Sequence, residues 1–128
     1  MLFALTSIRM IPKDEPSIYN EKSKDALRLS CRTVAIFDNK ELVLEAIRDN
    51  WGDLNEAGWY PWLAVEELNP NTIYPINFPD NNRLFFKWDN EIEKWIECGY
   101  PKKIKDFFVG NKDYYGENYL WQHFATIG

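Results

Sequence analysis

Apolar and polar positions alternate over Leu2–Ile11, with Leu2, Ala4, Thr6, Ile8 and Met10 on one side and Phe3, Leu5, Ser7 and Arg9 on the other. This predicts a first strand whose more apolar set, the even-numbered one, faces the core, and Pro12 ends it. Lys13–Ser30 is polar, charge-rich and without period, which predicts a long excursion with a helical turn near Lys24–Leu29. Arg32–Phe37 is β-branched and aromatic and predicts a second strand, with Val34 and Ile36 on one face and Thr33, Ala35 and Phe37 on the other. Asp38 then stands as N-cap with Glu41 three positions on, an acidic variant of the capping box. Val43, Ala46, Ile47, Asn50, Trp51 and Leu54 recur at helical spacing and Gly52 sits near the stop, so the principal helix is expected over 38–52.

Asp53–Gly58 reads as a turn-rich connection, and Trp62–Val65, closed by Glu66 and Glu67, as another strand. The strands flanking the helix are either parallel neighbours joined by a right-handed crossover or in an antiparallel arrangement with a strand between them. Thr72–Phe78, broken by Pro75 and bounded by Pro79, is an edge strand or a loop lying across the sheet. Arg83–Trp88 and Lys94–Cys98 form a hairpin turned by Asp89-Asn90. Lys102–Phe108 makes a short basic-aromatic helical turn, Gly110–Glu117 a loop, and Trp121–Ile127 a strand rather than a helix, by its alternation. The expected fold class is α+β: a mainly antiparallel sheet of about five strands with one principal helix on one face, in a single domain over 1–128.

Strand parity adds a constraint. If the helix covers Val34, Ile36, Leu63, Val65, Leu84 and Phe86, the reverse face carries Ala35, Phe37, Trp62, Ala64 and Phe85 and is equally apolar. One helix cannot shield both faces. The second is left to the 70–79 and C-terminal segments, to a second copy in a homodimer, or to a partner protein, with Tyr60, Trp62 and Phe85 as candidate anchors.

Composition changes this picture in a few places. Aromatic residues make up 16% of the 128 positions, a high share, and such residues are enriched at partner-binding surfaces. The formal net charge of −5 argues against direct nucleic-acid binding, which needs Lys and Arg to displace counterions. Cys31 and Cys98 are too few for a disulfide scaffold, and with His123 they fall one ligand short of a structural zinc site. Reduced thiols in the cytoplasm are expected. The opening residues lack a basic start and are interrupted by Arg9, unlike a secretory signal, and no run is long enough to cross a bilayer.

Candidate chemistry is sparse. No phosphate-binding glycine loop, nucleophile elbow or HExxH occurs. Cys98 and His123 are the components of a thiol–imidazole hydrolase, the least favoured reading. Asp49, Asp53, Asn55 and Glu56 resemble a weak calcium loop without EF-hand spacing, so no metal or cofactor is expected. Glu66, Glu67, Glu91, Glu93 and Glu97 supply carboxylates that can pair across strands. Lys102, Lys103 and Lys105 beside Phe107 and Phe108 suit an anionic ligand, which gives a second reading: a nucleotide-like molecule held between aromatic rings and this segment.

The order Arg32–Phe37, Asn50-Trp51-Gly52-Asp53-Leu54-Asn55-Glu56, Ala64–Glu67, Ile73-Tyr74-Pro75, Phe86-Lys87-Trp88 and Ile127-Gly128 resembles a family of small uncharacterised proteins of gut Firmicutes and their phages. The similarity spans roughly residues 31–108 and the last few. The family brings no assigned activity and no functional residue. By analogy the resemblance implies a phage or mobile-element accessory protein: a non-enzymatic module that binds and inhibits a host protein, such as one concerned with defence.

Overall fold

Leu2–Ile11 form the strand β1, and every neighbour it acquires runs antiparallel to it. The computed structural model describes residues 1–11, 28–68, 83–115 and 123–126. Within these, β2 (Arg28–Phe37), β3 (Trp62–Leu68), β4 (Arg83–Asp89) and β5 (Lys94–Cys98) join β1 in one five-stranded sheet of order β2-β1-β3-β4-β5. Three helices complete the described chain: α1 (Lys40–Arg48), α2 (Lys102–Gly110) and the single turn α3 (Lys112–Tyr115). The α+β class and the β4–β5 hairpin are as the pattern predicts. Asp89 Oδ1 accepts the N–H groups of Glu91 and Ile92 to close that hairpin. The strands either side of α1 are separated by β1, so β2 and β3 run parallel without touching.

β1 lies between β2 and β3 and buries both of its faces. Leu5 and Ser7 are as inaccessible as Ala4, Thr6 and Ile8, which corrects the expectation that only the even-numbered set faces the core. A second correction concerns β2. Leu5 pairs with Ala35 but Thr6 with Thr33, so the register slips at Val34 and the side-chain alternation inverts there. Phe37 therefore packs in the same core as Phe3 and Val34, and Ile36, expected to lie under the helix, is 47% exposed. The strand also starts at Arg28, in place of the end of the expected helical turn.

α1 is shorter than the 38–52 pattern suggests. Its N-cap is Asn39, not Asp38: Asn39 Oδ1 accepts the N–H of Glu41 at 2.7 Å and of Leu42 at 3.4 Å. Its end is set by Asn50 rather than Gly52. Asn50 takes φ 48°, and the paired bonds Trp51 N–H to Ala46 O and Asn50 N–H to Ile47 O make a Schellman stop. Val43 and Ile47 pack with Leu5, Leu54, Leu63, Val65, Phe86 and Trp95 in a first core.

The reverse face is covered by the chain itself. Lys102–Gly110 form a nine-residue helix, not a single turn, and Ile104, Phe107 and Phe108 at i, i+3 and i+4 pack on Ile8, Trp62, Ala64 and Phe85. Each of these three burials stabilises the fold by roughly 1.5–3 kcal/mol. Residues 123–126 are neither strand nor helix. Phe124 joins the second core, and Thr126 N–H donates to Thr33 Oγ1 at 2.6 Å. The expected Gly110–Glu117 loop contains α3. The readings of 12–27, of Thr72–Phe78 and of the rest of Trp121–Ile127 lie outside the described residues. Among the described residues no helix is long and apolar enough to cross a membrane.

Candidate functional site

The connection from α1 to β3 has an unusual backbone. Asn50, Asp53, Glu56 and Ala57 all have positive φ, as do Gly52 and Gly58. A non-glycine residue in that region costs about 1 kcal/mol or more, so the loop depends on its anchors. Ser7 Oγ donates to Leu54 O at 2.9 Å, and Asn50 Oδ1 accepts from Leu54 N–H and from the Trp95 indole N–H, both at 3.1 Å. Arg32 forms an ion pair with Glu56 and lies 4.9 Å from the centre of the Tyr60 ring. The Arg9 guanidinium lies 4.5 Å from the centre of the Trp59 ring. The loop thus holds Trp59 at the surface, 58% exposed, beside a fixed positive charge.

Trp59 forms one wall of a cleft of about 730 Å³. Arg9 and Met10 enter from the end of β1, Trp62 from the start of β3, and Lys103, Asp106 and Phe107 from α2. The cleft lies at one end of the sheet, where the register sets Ile8 opposite Trp62 and Trp62 opposite Lys87. Its floor is aromatic and apolar, and its cations come from two separate elements. This is the composition of a small-molecule site: mostly apolar walls with a few placed charges, at a volume within the usual range. A second basin of about 430 Å³ shares Pro61, Trp62 and Lys103 with it and adds Lys87, Cys98, Tyr100 and Lys102.

Of the residues expected to carry a site, Trp62 and Phe85 are 8% and 5% exposed. Phe85 packs against Tyr100 and Phe124 at centroid distances of 4.9 and 5.7 Å. Neither ring stands out to anchor a docking protein, because α2 and Phe124 occupy the face that parity left open. Tyr60 is half-buried beside Arg32. Lys102, Lys103 and Lys105 are all exposed on α2, with Lys103 lining both basins, Lys102 the second and Lys105 neither. Arg9, Trp59 and Asp106 are brought in by the fold and join Phe107, already expected beside the lysines. The one sequence signal for them was the Gly58-Trp59-Tyr60-Pro61 run, a large aromatic just after a turn glycine.

The other candidate groups have structural surroundings. Burial pushes the Cys98 thiol up, away from the thiolate a nucleophile needs. Burial also pushes the Cys31 thiol up, to about 12, with the Glu66 charge adding to it. The His123 imidazole is pushed down by burial and its Nδ1 lies 3.0 Å from Ala125 O. Glu56 is committed to Arg32, and Asn55 is buried inside its own turn. Among the described residues no three His, Cys, Asp or Glu side chains gather as metal ligands. Glu91, Glu93 and Glu97 are exposed, whereas Glu66 is fully buried. Burial lifts the Glu66 carboxyl to about 7, opposed by the N–H of Phe124, by Arg83 and by the N–H of Ala125.

Compared with known proteins, the chain matches no family model, no curated protein and no solved structure.

Proposed function

We propose that this chain is a non-enzymatic binding protein of the cytoplasm whose ligand is a small anionic molecule with a planar ring, of the nucleotide kind, held in the Arg9–Trp59–Lys103 cleft. The observation that carries this reading is the exposed Trp59 ring, set beside Arg9 and facing a helix that offers Lys103 across an aromatic floor. Charge segregation supports it. The chain is acidic overall, yet α2 presents Lys102, Lys103 and Lys105 against Asp106 alone, so an anion is drawn to this end of the molecule. A base stacks on the outer face of the indole while phosphate oxygens meet the guanidinium and the ammonium. Sequestration of such a molecule also fits the accessory role that the family resemblance implies.

The test is thermal unfolding in the presence of a nucleotide panel. A ligand at 100 times its dissociation constant adds about 2.7 kcal/mol of stability, and Trp59→Ala or Lys103→Gln removes the gain. A panel with no shift at millimolar concentration overturns the reading.

A second reading is a docking module for a host protein. It no longer rests on Trp62 and Phe85, but Trp51, 62% exposed, and Trp59 project from the same loop and suit a protein contact. Capture of a defined partner that Trp51→Ala abolishes, without any nucleotide effect, selects this alternative.

A further inference from the structure

The two basins suggest more about the ligand than its charge. They adjoin: Pro61, Trp62 and Lys103 line both, at the start of β3 and the N-terminal turn of α2. Lys87 is the direct cross-strand partner of Trp62, projects from the same face and lines the second basin. Lys102 joins it there, with Asp106 as its i+4 partner at 2.8 Å. Each basin is within the size range of a small-molecule site on its own. Each basin has a cation of its own, Arg9 in the first and Lys87 in the second, and Lys103 lines both. Aromatic surface is repeated as well: Trp59 and Phe107 in the first basin, Tyr100 in the second.

Resting on the reading of the first basin as a nucleotide site, we propose that the ligand is a dinucleotide that lays one nucleoside in each basin. Its phosphodiester passes from one basin to the other at Lys103. Arg9 with Trp59 receives one half and Lys87 with Tyr100 the other. A mononucleotide fills the first basin alone and leaves the second to water, so linkage of two units raises affinity without any change in the first set of contacts.

The experiment is isothermal titration of the intact chain with an adenine mononucleotide, a guanine mononucleotide and the phosphodiester-linked dinucleotide of each. The expected result is tighter binding of a dinucleotide than of its mononucleotide by about tenfold or more, with a large part of that ratio lost in Lys87→Gln. Lys87 is exposed, so its substitution does not threaten folding. Equal affinities for the two forms, or a ratio that Lys87→Gln leaves unchanged, overturn the dinucleotide assignment while the first basin stands. Absence of binding by all four compounds overturns both.

Discussion

The Glu66 carboxylate accepts the backbone N–H of Phe124 with both oxygens, at 2.9 and 3.0 Å, and that of Ala125 with one of them at 2.9 Å. A central strand thereby holds an irregular segment 58 residues further along the chain, in a site closed to water. Arg83 lies 3.8 Å away, equally buried, with the rings of Phe85, Tyr100 and Phe124 around its guanidinium. Removing the carboxylate takes a buried counter-charge from Arg83 and the acceptor from two amides, so Glu66→Ala is expected to cost about 3–5 kcal/mol in denaturant unfolding.

The same group sets a pH dependence. Its folded-state value, about 7, lies above the ordinary 4.5, so the native chain holds a proton that the unfolded chain releases between those values. Stability is therefore greatest below that window and is lost as pH rises through about 7, by up to roughly 3 kcal/mol. His123, pushed down by burial, acts in the opposite sense. The difference between wild type and Glu66→Gln isolates the carboxyl. Denaturant midpoints measured from pH 5 to 8 should fall in the wild type relative to the variant; parallel curves count against the assignment.

Asn50 offers a cleaner mutational pair. Its backbone sits at φ 48° and its side chain satisfies Leu54 N–H and the Trp95 indole. Asn50→Gly keeps the left-handed conformation and loses the two acceptor contacts, whereas Asn50→Ala loses both features. Unfolding free energies should fall by about 1–3 kcal/mol for Gly and further for Ala. Equal losses mean that conformation contributes nothing there.

α2 also answers to a single substitution. Ile104 is fully buried between the helix and the second sheet face. Ile104→Ala should cost about 2–5 kcal/mol, against little for Lys105→Ala on the exposed side. A small loss at Ile104 indicates that α2 is only loosely docked.

These tests fall on features of uneven legibility. α1 and the β4–β5 hairpin could be read from Val43, Ala46 and Ile47 and from Asp89-Asn90, because their signals are local. The bulge at Val34 carries no glycine or proline, and it alone moves Phe37 and Ile36 to the faces opposite those the alternation predicts. α2 is legible in Ile104, Phe107 and Phe108, yet its lysines and short span suggest only a helical turn. The apolar character of the second face was correctly inferred from Trp62, Ala64 and Phe85; what covers it depended on recognising that helix. The cleft was the least visible. Arg9 and Trp59 are 50 positions apart and meet only because antiparallel β1 ends where β3 begins, whereas Lys103 stands out through its charge.

The most direct test follows the indole N–H signals of the six tryptophans by NMR as a binding nucleotide is titrated into labelled protein. The account predicts a large, saturable shift at Trp59 and a smaller one at Trp62, while Trp51, Trp88 and Trp95 stay in place. A spectrum that does not change, or one in which Trp51 moves and Trp59 does not, contradicts the cleft as the binding site.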